Sequence, residues 1–461
     1  LISLGLSFSA ERRERKLAWQ GALLLSAVVF GAWIRGAFLP SAGSWDTEYW
    51  KAWTLRAVDA GLTRVYGDHD SVPHGHFWAQ LNGREQRFEV SYNGREFPVD
   101  YPPLAMALWS ISYRLVSRFA TDLDAAEIKN IAVKLPPVIG DVAALMTILW
   151  ALRRRPRRAM ALAAVYWALP VSWLSSAVLG YSDATYAPLS VIALCAAGGG
   201  APILAGIALA TACLIKPTAG VIAPAVFAGL FRRRGASWRA ALAAALVGLA
   251  AILPYLASGT LPTTVIHLYR IVHQRTLSGG FPNPWWLVGH LLTLRTTNGD
   301  WTGPVQYASI DLIPEARIWG LTLFLLATVA VLLRARRCSS TDGVMAAGGL
   351  LVFSYGVFAV GVHENHPHAL FLILLATGLL TRSRRFFFAC ASLSYILTML
   401  SLSGVGRFYG TRYVAIDPLV NPVLAMRMAL GVDLTLLLVP LNVLLLIIAL
   451  AQRGHWTDPR S

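Results

Sequence analysis

The stretch DVAALMTILWALRRRPRRAMALAAVYWAL, residues 141–169, decides the fold class. Two apolar runs flank a turn made of five arginines and one proline. A bilayer crossing takes about 20 apolar residues, and short arginine-rich connectors stay cytoplasmic. The stretch therefore reads as two membrane helices joined by a cytoplasmic turn. The pattern recurs along the chain. Apolar runs at 18–38, 130–152, 159–177, 183–198, 201–215, 217–231, 239–257, 316–334, 343–361, 368–381, 386–403 and 425–451 predict an all-α polytopic membrane protein with about twelve transmembrane helices.

Composition agrees. The 461 residues are 56% hydrophobic and only 14% charged, with a mean hydropathy of +0.54. That excludes an ordinary soluble enzyme. The net charge of +16 does not point to nucleic acid, because the basic residues sit in short runs between apolar segments. Cys195, Cys213, Cys338 and Cys390 have no framework spacing, so no disulfide is expected. ERRERK (11–16) followed by apolar 18–38 has the charge pattern of a signal peptide. The run is too long and lacks a small-residue cleavage site, so it reads as an uncleaved first span.

Charge also orients the chain. ERRERK, RRRPRR (153–158), RRRGASWR (232–239), RARR (334–337) and TRSRR (381–385) share one side only if 103–119 does not cross. That segment, carrying Arg114 and Arg118, reads as an interfacial helix. The expected organisation has cytoplasmic ends at 1–17 and 452–461. A first extracytoplasmic loop covers 39–129 and a second 258–315; spans occupy 130–257 and 316–451. AQLNGREQRFEV and VSYNGREFPVD carry Asn-Gly at 82–83 and 93–94 between partly alternating residues. Asn-Gly is a strong hairpin signal, so a small β insertion is expected in the first loop.

This orientation gathers the polar motifs on the extracytoplasmic side. GSWDTEYWKAW (43–53) places Asp46 and Glu48 among aromatics just after the first span. An acid at a membrane boundary is unfavourable unless solvated, paired or used. Asp46 can act as a general base toward a hydroxyl, or cap a helix running from it. Asp100 and Tyr101 in VDYPP can line a pocket, or Asp100 can cap the helix after the prolines. In GVHENHPH, His363, Glu364 and His366 have a spacing open to a metal, a phosphate or an ordinary wet loop. GDHDSVPHGHF (67–77) reads as a solvated loop. Lys216, alone between apolar runs, needs an anionic partner or a route to the interface; a lipid phosphate suits it. Arg270, His273 and Arg275 form a second cationic group, for a leaving phosphate or for headgroups. The 16 Trp and 15 Tyr cluster beside these loops, as an interfacial belt does.

Together these motifs resemble the GT-C superfamily of membrane glycosyltransferases, and within it the dolichyl-phosphate-glucose glucosyltransferases of N-glycan assembly. WDTEYWKAW resembles their acidic stretch ending in Trp, and Tyr101, Pro102 and Pro103 match their Tyr-Pro-Pro motif. NPWW, with Asn283 and Trp285, approximates their Asn-Phe-Trp motif. His363 and Glu364 match their His-Glu-Lys motif, with Asn365 in the third place. The chain departs from the pattern at Asn365, in the insertion at 70–99, and beyond 381, where only apolar spans correspond.

The resemblance implies a GT-C-type fold and an inverting transferase with a polyprenyl-phosphate sugar donor, no metal and no separate cofactor. It implies Asp46 as base, Glu48 binding the acceptor or orienting the base, and His363 toward the donor phosphate or sugar. Asp100, Tyr101, Lys216, Arg270, Trp285 and Glu364 complete the expected substrate contacts. The acceptor is an extracytoplasmic glycan, lipid or protein; the other partners are membrane lipids, not nucleic acid. The Ala- and Arg-rich composition leans toward a bacterial plasma membrane. Two other classes compete: a transporter or flippase, which calls for charged or broken helices at mid-membrane, and a non-catalytic partner, which needs no cavity beside Asp46.

Overall fold

A computed structural model describes residues 21–66, 75–81, 84–90, 99–231, 233–272, 276–294, 308–335, 340–402, 408–409, 412–413 and 433–452. In chain order, α1 (Gly21–Phe38) leads to α2 (Trp45–Ala60). Strands β1 (Gly75–Leu81) and β2 (Arg84–Val90) pair antiparallel, with Leu81 opposite Arg84. The second Asn-Gly, at 93–94, lies outside the described residues. Next come α3 (Pro103–Phe119), α4 (Ala125–Ala151), α5 (Pro156–Ala168) and α6 (Pro170–Val178). They are followed by α7 (Asp183–Gly199), α8 (Pro202–Ile215), α9 (Pro217–Phe231), α10 (Ala236–Ala257), α11 (Leu261–Val272) and α12 (Pro284–Leu294). The last part holds α13 (Ala316–Ala335), α14 (Thr341–Phe358), α15 (His368–Ala376), α16 (Arg382–Leu402), the short strands β3 (Phe408–Tyr409) and β4 (Arg412–Tyr413), and α17 (Leu434–Ala451).

This is an all-helical polytopic membrane protein with small strand insertions. Five helices among the described residues, α1, α4, α10, α13 and α14, are long and apolar enough to cross a membrane, six if the bent pair α5–α6 is one span. Of the remaining expected spans, α7, α8, α9 and α15 are shorter helices, whereas α16 has 21 residues and is less apolar. The run at 368–381 is the clearest difference: α15 has nine residues and rises only about 14 Å. Its whole surface is buried in protein, not lipid. The outer helices behave oppositely. Leu242, Leu246, Leu249 and Leu253 on α10, and Leu325 and Leu326 on α13, expose apolar faces of the kind a bilayer covers.

The central helix, α7, packs against α4, α8, α14 and α15. Its approach to α4 depends on Gly140: a Cβ there would collide with the Ala184 carbonyl. Small residues let membrane helices close to backbone contact. The run expected at 159–177 is broken, with α5 and α6 meeting at 50°. Pro170 has no N–H to offer the helix and disfavours helical geometry before it, and Leu169 is extended at φ −71° and ψ 133°. The freed carbonyls find other donors. Ser172 Oγ donates to Tyr166 O (2.6 Å), and Arg35 Nη1 donates to Trp167 O (2.9 Å). Arg35 also holds Asp141 through Nε (2.9 Å) and Nη2 (2.7 Å), while Tyr166 and Ser176 hydroxyls donate to the same carboxylate. One buried network thus ties α1, α4, α5 and α6 together.

Candidate active site

The segment joining α1 to α2 positions the first acidic motif. The last carbonyls of a helix lack intrahelical donors and form the negative end of its dipole; at the end of α1 the Phe38 carbonyl accepts from Ser41 N (3.2 Å). Lys134 on α4 also serves this end: its buried Nζ donates to Phe38 O (2.9 Å), Ser41 O (2.6 Å) and Ala42 O (3.2 Å). Ser44 N then donates to Leu179 O (3.0 Å), and α2 starts at Trp45. Asp46 is therefore in the first turn of α2, where the helix dipole favours a carboxylate. The capping position belongs to Ser44, which makes no side-chain cap bond, so Asp46 is not the cap. Glu48 follows in the same helix; its side chain lies outside the described residues.

Asp100 is not a cap either. Pro102 holds the capping position of α3 and Pro103 opens the helix. The Tyr101 carbonyl accepts from Tyr66 OH (2.5 Å). Its ring is held by Trp50 and Trp109, at centroid distances of 5.3 and 5.1 Å. The belt expected of these aromatics is here also a packed cluster: Trp50 and Trp109 stack at 5.1 Å.

The loop after α14 carries the histidines. Leu277 and Gly279 run beside it: Gly361 N donates to Leu277 O (3.0 Å), and Gly279 N to Val362 O (2.9 Å). His363 lies against the Gly279 backbone, where a Cβ would stand 2.6 Å from the imidazole Cγ. His366 Nδ1 accepts from His363 N (3.3 Å). Glu364 Oε1 accepts from Tyr181 OH (2.5 Å).

These segments meet at one cavity of about 680 Å³. Its walls include Asp46, Asp100, Tyr101, Lys216 and His363, residues up to 317 positions apart. Two expected contacts fall elsewhere. Trp285 is not on the wall; its Nε1 donates to Phe358 O (2.7 Å). Asn283 Nδ2 donates to Gly356 O (3.0 Å) and Ala359 O (3.2 Å). The NPWW motif thus gives the Asn283 amide N–H and the Trp285 indole N–H to the open carbonyls at the end of α14, and the Trp286 indole N–H to Thr435 Oγ1 (2.8 Å). Glu364 is also behind the wall, bonded to Tyr181. The Arg270 side chain, His273 and Arg275 lie outside the described residues, as do 67–74 of the loop GDHDSVPHGHF.

Lys216 has an anionic partner within the protein: Nζ is 2.6 Å from Asp183 Oδ2 at the head of α7. Tyr186 OH donates to the other carboxylate oxygen (3.2 Å). Lys216 lies in extended backbone, φ −151° and ψ 125°, where α8 has ended and Pro217 begins α9. The cavity still reaches the ammonium, but its charge is already matched.

Sequence reasoning also missed Arg317, which lines the cavity from the first turn of α13. A single arginine heading an apolar run was the available signal. Leu321 and Phe324 follow on the same wall at helical spacing. The cavity therefore passes from carboxylates and cations to an apolar strip on α13.

Electrostatics divide the acids. Burial raises Asp46 above its ordinary value, and Lys216 pulls the other way. Burial, then the Asp46 charge, pushes Asp100 up to about 7. The same two causes push Glu364 up to about 7. Burial and Lys216 push His363 down to about 4, and His366 falls well below the usual imidazole range for the same reasons. Both imidazoles are neutral at pH 7. His363 can then give a hydrogen bond to a phosphate but not a positive charge. Among the described residues no group of three or more His, Cys, Asp or Glu is arranged to hold a metal ion.

Residues 71–195 match the family model described as oligosaccharyl transferase STT3, N-terminal. No curated protein matches the chain.

Proposed function

We propose that this protein is an inverting glycosyltransferase that moves a monosaccharide from a polyprenyl-phosphate donor to an extracytoplasmic glycan, lipid or protein. The observation that carries the reading is the single cavity joining Asp46 to Lys216, Arg317 and an apolar strip on α13. A polyprenyl-phosphate sugar has the same three parts: a polar sugar, an anionic phosphate and an apolar tail. The likeness of residues 71–195 to an oligosaccharyl transferase model supports the same chemistry.

In this reading Asp46 accepts the proton of the acceptor hydroxyl as its oxygen attacks the anomeric carbon. The bond from that carbon to the phosphate oxygen breaks, and the phosphate leaves with the electron pair. Arg317 and the Lys216–Asp183 pair stabilise the departing charge. His363 donates a hydrogen bond, and Asp100 and Tyr101 shape the sugar pocket. Glu48 and Arg270 remain assigned to acceptor and phosphate. No separate cofactor enters, since the lipid sugar is a co-substrate. The topology that goes with this has twelve crossings, cytoplasmic ends and the cavity at the outer face of a bacterial plasma membrane.

The family model's description favours a second donor form, an oligosaccharyl unit carried on lipid. The broken helix α5–α6 and the buried Arg35–Asp141 pair are features a transporter would also need. That pair lies off the cavity, with its hydrogen bonds met by protein, so it reads as structural. The test incubates purified protein with polyprenyl-phosphate monosaccharides and lipid-linked oligosaccharides, each with glycan, lipid and peptide acceptors, followed by mass spectrometry. Transfer by the native protein, lost in Asp46→Asn with donor binding retained, is the expected result. Movement of a lipid-linked sugar across liposomes without any product would replace the proposal by transport.

A further inference from the structure

We infer that Asn365 is a specificity-determining residue whose side-chain amide reads one hydroxyl of a sugar ligand. This rests on the glycosyltransferase reading above. Asn365 is on the cavity wall and only 2% exposed. Its Oδ1 is shut off from solvent and accepts no hydrogen bond from the protein. A buried amide oxygen without a donor is unfavourable, so such a group in a native fold calls for an explanation.

Local structure does not supply one. The backbone of Asn365 already serves the turn into α15, where His368 N donates to its carbonyl (3.0 Å). Its neighbours each have a side-chain partner, Glu364 Oε1 with Tyr181 OH and His366 Nδ1 with His363 N, although Glu364 Oε2 has none. Asn365 Oδ1 has no such partner.

The surroundings choose the ligand chemistry. Oδ1 needs a donor, and a turn of the amide presents it to the cavity that Asn365 lines. Lys216, the ammonium on this wall, pairs with Asp183 and does not bond Oδ1. His363 and His366 are neutral, and Trp50, Trp53, Tyr101 and Tyr355 supply aromatic faces. Aromatic rings with neutral polar groups suit a sugar ring, whose C–H face stacks while its hydroxyls donate and accept. An amide offers both an acceptor and two donors, so it can hold a hydroxyl and discriminate its position. The hydroxyl can belong to the donor sugar or to the acceptor sugar, and the two sources separate by experiment.

The experiment is a cycle between Asn365 variants and deoxy sugars. Native protein is assayed with donors, and separately acceptors, lacking one hydroxyl at a time. A site built to bond a hydroxyl rejects the analogue that lacks it strongly. One position is expected to cost native protein about 100-fold or more in kcat/KM. Asn365→Leu is expected to lose a similar factor on the parent sugar and little more on that one analogue. Asn365→Ala, which also removes the amide but adds no bulk, is expected to lose the preference in the same way; it carries the test if the leucine variant does not fold. Coupling in the donor series assigns the contact to the transferred sugar, and coupling in the acceptor series to the recipient. Equal losses on every analogue, or unchanged selectivity in both variants, would overturn the assignment while leaving the transferase reading intact. Absence of transfer by native protein from any donor would overturn both.

Discussion

Lys216 Nζ and Asp183 Oδ2 lie 2.6 Å apart, both nearly removed from solvent, at the edge of the cavity that also contains Asp46. The pair supplies a cation whose desolvation is offset before any ligand arrives. Its two halves are 33 residues apart, at the tail of α8 and the head of α7, so it also fastens two helices.

Breaking one half should cost more than removing both. Lys216→Met leaves Asp183 buried without its counter-ion, and loss of one partner of a buried pair costs about 3–5 kcal/mol. The double variant Lys216→Met with Asp183→Asn should recover part of that stability but not the transfer rate. Thermal unfolding in detergent, set beside turnover, checks both statements. Equal stability of the single and double variants would show that the pair is not coupled.

Asp100 makes stability depend on pH in a definite direction. Its pKa rises from about 4 unfolded to about 7 folded. Between those values the folded state binds more protons than the unfolded state, so this group's contribution falls as pH rises. Above the upper value its penalty is complete. Glu364 acts in the same direction and His363 and His366 oppositely, so the total for native protein does not isolate Asp100. Asp100→Asn isolates it: the variant should match native stability below about pH 4, gain on it as pH rises to about 7, and hold an advantage of roughly 4 kcal/mol above that. A stability difference that does not change with pH contradicts the assignment.

Gly279→Ala should injure the site without injuring the fold. The new methyl would stand 2.6 to 2.8 Å from His363 ring atoms, so the imidazole must move. A misplacement of about 1 Å can cost about 100-fold in rate. We expect a fall in kcat of tenfold or more with a small shift in Tm. Native turnover in this variant would mean that the His363 ring position does not matter.

Trp285→Phe separates a support from a substrate contact. It deletes the hydrogen bond to Phe358 O, worth about 1 kcal/mol, with a further penalty for the stranded carbonyl. Stability should fall by about 1–3 kcal/mol while KM for donor and acceptor stays near native. A selective rise in KM at unchanged stability would restore Trp285 to the substrate.

What the sequence determined by itself is local. Apolar run length and arginine spacing located the helices, because a bilayer demands about 20 apolar residues wherever a helix crosses. Isolated acids, histidines and Lys216 at the ends of those runs stood out as residues in need of a reason. Proline at 170 could have announced the break that split one expected span in two, since its effect is also local.

The tertiary structure decided partners. Arg35 meets Asp141 across 106 residues and Lys134 caps α1 from α4, although each looks like a lone charge in an apolar run. Arg317 joins the cavity, while Trp285 and Glu364 turn to carbonyl and hydroxyl partners behind it. Hydropathy and turn chemistry are set within a few residues. Which buried charges neutralise one another depends on which helix faces come together, and that is a property of packing, not of any one segment.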